Sequence, residues 1–339
     1  MAEIWARDIR YSLLRIYVDW CTRRSYAGGI KVEGKYPKDG RAVIIAPNHS
    51  NALMDALVVL QSDKDPSVYG TRADVFNKPA LARIFRVLKM LPIARKTEGL
   101  RAVAQNLDVM PEILDVLQHN VPFCLFAEGY SRPMYSLQHL HKGLARIALR
   151  NAATKPTCIV PVGINYSDFL HYRGTCTMKI GEPIDVNDWI GGHPGLHDSA
   201  SATKLSQHLS ERIKELILYI PDDENYQQRL QELRPPKKRR WWEWPLAVLT
   251  APFFLLSAVL TLPQWAISRW ICRNKITDRG FHNSVRFFLR FAGAPVMIII
   301  WAVLGFVFLP PLAACVLLLY YCLSYSIFYD WLNLVRIDY

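Results

Sequence analysis

Two apolar stretches, residues 244–268 and 295–328, constrain this chain more than any other feature, because each is apolar enough to enter a bilayer. The 339 residues are 51% hydrophobic, but unevenly so: residues 1–234 have a mixed globular composition, whereas 241–339 concentrate Trp, Phe, Leu and Pro. That gradient predicts a soluble domain followed by a membrane region. The tail opens on Lys237-Lys238-Arg239-Arg240-Trp241-Trp242, a basic run against paired indoles that suits a lipid headgroup boundary. The connection between the two stretches is also basic, with Arg269, Arg273, Lys275, Arg279, Arg286 and Arg290. A single crossing by the first stretch would put one of these basic segments on the wrong side by the positive-inside rule. The expectation is therefore a shallow wedge or hairpin, each stretch dipping in and returning, with bends at Pro252 or Pro263 and at Pro310-Pro311. Residues 296–309 would span only ~21 Å as helix, short of the ~30 Å hydrocarbon core.

The net charge of +12 favours an acidic partner, and beside such a tail an anionic lipid surface fits better than nucleic acid, for which no binding signature is present. The N-terminal MAEIWARDIRYSLLRIYVDW is broken by Glu3, Arg7, Asp8 and Arg10, so it has no uninterrupted signal-peptide core. Ile4, Trp5, Ile9, Leu13, Leu14, Ile16 and Tyr17 fall near helical spacing and predict a helix lying on the membrane surface or on the domain. The seven cysteines are scattered and never spaced as CxxC, so they read as reduced, mostly buried thiols on the cytosolic side.

From residue 41 short apolar runs alternate with helical ones: RAVIIA, ALMDALVVLQ, SVYGT, ALARIFRVLKM, LPIA, GLRAVAQNLDVMPEILDVLQ, PFCLFAE, GLARIALRNA, TCIVPVGINY and TCTMKIG. The alternation predicts an α/β fold, a mostly parallel sheet covered by helices, with an N-terminal amphipathic helix and a C-terminal α-helical membrane region. The expected division is 1–28 as a membrane-associated helix and 29–198 as the catalytic domain. A charged helical extension with a basic linker follows over 199–240, and membrane-embedded helices over 241–339. Chemistry in such folds sits where strands end and helices begin.

Three of the four candidate motifs lie at such points. In APNHSNALMD, residues 46–55, His49 follows a strand and Asp55 stands six positions on. A carboxylate on one ring nitrogen fixes the tautomer of a general base at the other, which here requires His49 to lie in the loop before the helix. The plainer reading has Ser50 or Asn51 capping that helix and Asp55 facing water. In PFCLFAEGYSRP, residues 122–133, Glu128 and Gly129 end a strand, and Arg132 offers a donor fork for phosphate. Pro133 stands where a nucleophile elbow needs its second glycine, which demotes Ser131 as a nucleophile. Lys142 opens the next helix and suits the same anion. LPIARKTEG, residues 91–99, delivers Arg95 and Lys96 to a loop, and IVPVGINY, residues 159–166, carries a proline expected at a sheet edge or strand end. His139 and His141 have no carboxylate or cysteine cluster beside them, so no metal site is expected.

Together and in this order, the four motifs resemble the blocks of the glycerolipid acyltransferase superfamily, which contains glycerol-3-phosphate and lysophosphatidic acid acyltransferases. NHSNALMD has five residues between His and Asp where the family has four, and FAEGYSRP has Ala127 for the family's proline and one extra residue before Arg132. These departures, with NYSDFLHYRG and KIGEPI, are most similar to the fungal-type glycerol-3-phosphate/dihydroxyacetone-phosphate branch. The resemblance implies transfer of a fatty acyl group from acyl-CoA or acyl carrier protein to the sn-1 hydroxyl of glycerol 3-phosphate or dihydroxyacetone phosphate. It gives His49 as base, Asp55 as its orienting group, and Arg95, Arg132 and Lys142 as phosphate ligands, with Glu128, Gly129 and Ser131 shaping that pocket. No cofactor or metal is needed beyond the acyl donor, because a thioester is already activated. The implied location is a bilayer with the catalytic domain on its cytosolic face, at a bacterial inner membrane or the endoplasmic reticulum. Rival readings are a lysolipid acceptor, a lipid hydrolase, and a non-catalytic protein that binds acidic lipid.

Overall fold

The computed structural model describes residues 3–6, 8–94, 106–194, 198–234 and 240–337. The chain runs α1 (Ile9–Arg23), β1 (Ile30–Glu33), β2 (Ala42–Pro47), α2 (Leu53–Leu60), β3 (Val68–Arg72), α3 (Pro79–Val87) and β4 (Met90–Ile93). It continues through α4 (Asn106–Gln118), β5 (Phe123–Cys124), α5 (Gly143–Ala152), β6 (Thr157–Tyr166), β7 (Cys176–Ile180) and β8 (Ile184–Asp185). Then come α6 (Val186–Gly192), α7 (Asp198–Lys214) and α8 (Tyr226–Leu233). Three long helices follow: α9 (Glu243–Asn274), α10 (His282–Phe308) and α11 (Pro311–Val335).

One eight-stranded sheet has the order β1-β7-β6-β2-β5-β3-β4, with β8 also paired to β6. The pairs from β6 through β2, β5 and β3 to β4 are parallel, while β7 and β8 meet β6 antiparallel. The parallel strands therefore send their carboxyl ends to one edge, and the described parts of the four motifs stand there. Pro161 was expected at a sheet edge or strand end, yet it sits inside β6, between β2 and the β7/β8 side. It is tolerated because β8 pairs with Cys158 and Ile159 while β7 begins at Val162, so its missing N–H falls in the gap between the two partners.

Strand alternation splits the sheet's side chains between two cores. Ala42, Ile44 and Ala46 pack with Ile113 and Leu117 of α4, Leu144 and Ile147 of α5, and Leu205 and Leu209 of α7. Val43 and Ile45 pack on the other face with Met54 and Val58 of α2, but also with Phe287 of α10 and Tyr325, Phe328, Tyr329 and Leu332 of α11. The C-terminal helices thus cover a face of the sheet, so the boundary expected at 240/241 does not separate two cores. The loop between β6 and β7 fastens the joint. Arg173 pairs with Asp330 at 2.7 Å and donates to the carbonyls of Arg24 and Tyr26, while Asn283 and Asn333 donate to the carbonyls of Phe169 and Tyr172.

Among the described residues three helices, α9, α10 with its preceding 3-10 turn, and α11, are long and apolar enough to cross a membrane. The bend expected at Pro252 or Pro263 falls inside one continuous helix: α9 runs through both prolines, and as a straight rod it would hold Ala247 and Cys272 ~37 Å apart. Its contacts descend α11 and then return along it. Near its start Ala247 accepts from Trp331 Nε1, near its end Cys272 shares a cavity with Tyr329, and between them Ser257 and Gln264 bond Tyr320 and Tyr321. Both ends of α9 therefore stand at the 329–331 turn of α11, level with the Arg173–Asp330 joint, and only its middle reaches further from the sheet. The return expected at Pro310-Pro311 is present: α10 ends at Phe308 and α11 begins at Pro311, with Gly305 packed against Ala314. At the other terminus α1 exposes a stripe of Ile9, Leu13, Ile16 and Trp20. Ile4 and Trp5 do not join it: Ile4 is buried, and Trp5 Nε1 donates to Asp115 of α4 at 2.7 Å.

Candidate active site

The loop after β2 is held on every side before it reaches α2. Asn48 donates to the Ile164 carbonyl at 3.2 Å and accepts from the Ile164 amide at 2.6 Å, so its side chain continues the β2–β6 ladder one residue further. The His49 amide donates to Glu128 Oε1 at 2.5 Å, and the Ala52 amide donates to Ser131 Oγ at 2.8 Å. Ala52 is the N-cap residue of α2, with φ of 46° and no side-chain cap, so neither Ser50 nor Asn51 caps the helix. Asp55, in the first turn, reaches back over the helix start, where its carboxylate accepts from the Asn51 amide at 2.7 Å.

That anchored turn brings His49 back over the helix start, where Nδ1 lies 2.8 Å from Asp55 Oδ2. The six-residue separation is absorbed in residues 49–52, which are not helical. Asp55 is fully buried and accepts a third bond, at 2.7 Å, from the Tyr166 hydroxyl at the end of β6. Burial, and then the Asp55 charge, push the Tyr166 phenol well above its ordinary range, so it remains a donor. A carboxylate that accepts at Nδ1 places the proton there and leaves Nε2 as the basic nitrogen. Among the described residues nothing bonds Nε2. The ring is about one-fifth exposed and packs against Phe126 at 4.4 Å between centroids.

Glu128 is 2% exposed, and its two oxygens accept from the amides of His49 and Gln138. Burial pushes its carboxyl up to about 7 against these bonds. Gly129 adopts φ of 78°, and a Cβ there would lie 2.9 Å from the His141 ring, so both its conformation and its contact call for glycine. Glu128 and Ser131 thus hold the His49 loop through its backbone. The Arg132 amide donates to the His49 carbonyl at 3.3 Å, but its guanidinium turns away to Asp222 at 2.8 Å. Lys142 is the N-cap residue of α5 and has no hydrogen bond to the other candidates. Arg95 and Lys96 lie outside the described residues, although Ala94, immediately before them, is pinned through both backbone groups by Asn106.

Tyr166 and Asn48 received no role from the sequence, though both lie within the quoted motifs. The available signal was a phenol closing an otherwise apolar strand at the edge where the motifs meet. A cavity of about 240 Å³ between the ends of α9 and α10, lined by Arg269, Arg273, Arg279, His282 and Arg286, was legible only as scattered basic residues.

A family model described as "Acyltransferase" matches residues 29–165. No curated protein matches the chain. Among solved structures the chain is similar to the 1-acyl-sn-glycerophosphate (LPA) acyltransferase PlsC from Thermotoga maritima. The two are 19% identical, the match covers 67% of this chain and 81% of that one, and the TM-score is 0.43.

Proposed function

We propose, from the premise that residues 29–165 are an acyltransferase domain and the chain an O-acyltransferase, that it acylates the sn-1 hydroxyl of glycerol 3-phosphate or dihydroxyacetone phosphate at a membrane, drawing on acyl-CoA or acyl carrier protein. The observation that carries this reading is the His49–Asp55 pair, 2.8 Å apart, at the carboxyl edge of the parallel strands and bonded through its backbone to Glu128. His49 Nε2 takes the hydroxyl proton as the oxygen attacks the thioester carbonyl. The tetrahedral intermediate then expels the thiolate, which leaves with the proton that His49 returns. Asp55 holds the ring and stabilises the imidazolium between the two transfers. Arg132, with Arg95 and Lys142, meets the acceptor phosphate, and Arg132 exchanges Asp222 for it.

The membrane reading follows from the same contacts. Both ends of α9, the start of α10 and the end of α11 stand on the catalytic side, while the α10–α11 turn points away from it. Residues 303–319, VLGFVFLPPLAACVLLL, hold no charged side chain at that turn. A hairpin whose tip rests in hydrocarbon, with α9 dipping in beside it and returning, satisfies the positive-inside rule at both basic segments. The catalytic domain then faces the cytosol.

The test is purified full-length chain with labelled acyl-CoA, given glycerol 3-phosphate, dihydroxyacetone phosphate and lysophosphatidate in parallel. Acylation of either of the first two supports the reading, and acylation of lysophosphatidate alone moves the assignment to a lysolipid acceptor. Free fatty acid as sole product would make the protein a hydrolase. His49→Ala lowers transfer by roughly 100-fold or more in a folded protein, the low end for a lost general base.

A further inference from the structure

Where α9 ends and α10 begins, a cavity of about 240 Å³ gathers four guanidinium groups: Arg269 and Arg273 from α9, Arg279 from the 3-10 turn Arg279–Phe281, and Arg286 from α10. Arg269 and Arg273 stand one turn apart on the same helix face, where like charges repel. Among the described residues neither forms an ion pair, and no acidic side chain lines the cavity. Asp278, which precedes Arg279, turns Oδ1 to the Gly280 amide at 2.8 Å. Arg269 and Arg273 thus share their cavity with two more cations and with no anion from the residues that line it.

Three of these cations are reachable from outside: Arg273 and Arg279 are exposed, and Arg269 is half-buried. Arg269 lies over the Trp265 ring at 5.2 Å, a contact through the guanidinium face that leaves its N–H edge for another partner. Arg286 is buried and donates from Nη1 to the Leu170 carbonyl at 2.7 Å and to Asn283 at 3.0 Å, so it supplies charge from behind rather than a donor at the mouth. Three reachable forks backed by a fourth charge match a phosphate monoester, which brings about −1.5 to −2 charges and three acceptor oxygens near pH 7. A phosphodiester or a carboxylate brings one negative charge and fewer free oxygens.

The surroundings point to a lipid as the carrier of that phosphate. The part of α9 that leads to the cavity exposes Leu262, Ile267 and Trp270, and the Trp270 ring lies 5.7 Å from Lys275 Nζ, the pairing of indole and cation found at a headgroup boundary. Trp265 and Tyr329 give the cavity an aromatic side. Its volume is below the ~300–1,000 Å³ of sites that enclose a whole small ligand, so it holds a headgroup and leaves acyl chains outside, against the helices.

We infer that this cavity binds the phosphate monoester of a membrane lipid, held by Arg269, Arg273 and Arg279 at the surface where α9 and α10 leave the bilayer. None of these residues belongs to the His49–Asp55 centre, and the site rests on the membrane placement given above and not on the acyl transfer.

The test is phenylglyoxal modification of full-length chain in nanodiscs, read residue by residue by mass spectrometry of peptides. In discs that hold phosphatidate beside phosphatidylcholine, modification of Arg269 and Arg273 falls about tenfold, relative to phosphatidylcholine alone, once phosphatidate stands at about ten times its Kd. Phosphatidylglycerol, a diester, protects less at equal surface charge. In Arg273→Gln, at an exposed position, the phosphatidate fraction that half-protects Arg269 rises about tenfold, the loss expected for one charge-assisted contact. Unchanged protection of Arg269 in that variant refutes the shared site, as does absence of protection in the wild-type chain. Equal protection by phosphatidylglycerol overturns the monoester, and equal protection by inorganic phosphate or coenzyme A in phosphatidylcholine discs overturns the lipid. Chain that fails to enter the discs overturns the membrane placement and this site with it. Modification requires no turnover, so none of these results removes the proposed reaction.

Discussion

Tyr166→Phe removes one hydroxyl from the centre without touching a group that meets substrate. The phenol is 3% exposed and donates at 2.7 Å to Asp55, which is fully buried and keeps only the Asn51 amide and His49 once that donor is gone. Phenylalanine fills the same space, so the cavity cost is small and the lost bond is what is measured. Hydrogen bonds to charged groups contribute about 1.5–3 kcal/mol. If the lower figure is expressed where the imidazolium forms, kcat falls about tenfold, at 1.36 kcal/mol per factor of ten. The acceptor KM is unchanged. Asp55→Asn alone costs about 100-fold or more, because an amide can present N–H to Nδ1 and reverse the tautomer. In that background Tyr166→Phe changes kcat by less than about threefold, since the charge its hydroxyl served is already absent. A full tenfold loss in both backgrounds, or wild-type kcat in the single variant, refutes the coupling.

Three further outcomes follow from the geometry. Burial raises Glu128 from 4.5 to about 7, so the folded state holds a proton that the unfolded chain releases. Wild-type stability therefore falls by at most about 3 kcal/mol as pH rises through that window and levels off above it, whereas thermal melts of Glu128→Gln lose that slope. Arg132 and Asp222 form a half-exposed pair that contributes at most about 1 kcal/mol, so Asp222→Ala leaves the melting temperature nearly unchanged. Freed of its partner, Arg132 lowers the KM for a phosphate-bearing acceptor by up to about fivefold, and a raised KM contradicts that role. In Gly163→Ala the new Cβ would meet the Leu216 side chain at 2.5 Å and its carbonyl oxygen at 2.6 Å, which forces the segment after α7 off β6. Overpacking of this kind costs about 1–3 kcal/mol and appears as a lowered melting temperature.

Much of the centre was legible because strand-end chemistry is local. The run RAVII continues into the His49 loop, FAEGYS brings Glu128 and Ser131 beside it, and VPVGINY ends at the neighbouring strand. The acidic and basic candidates nonetheless divide in a way the motifs do not reveal. Glu128 and Ser131 spend their side chains on backbone amides of the His49 loop, while Arg132 carries its guanidinium to Asp222, ninety positions on. Pro161 was misplaced because a strand's tolerance for proline depends on which partner faces it, and only the register shows that β8 gives way to β7 at that residue.

Composition and periodicity alone determined the α/β alternation, the apolar tail, the amphipathic first helix and the order of the four motifs, because each rests on contacts between residues near in sequence or on the water that a segment avoids. Tertiary structure decided what distant segments do to one another. It turned α9 back along α11 so that its two described ends stand on the catalytic side, and it packed Phe287 and Phe328 into the same core as β2. It set Tyr166 on Asp55, and it gathered Arg269, Arg273 and Arg279 at one cavity. Those outcomes depend on crossing directions and strand register, which a linear pattern of apolar and charged residues does not encode.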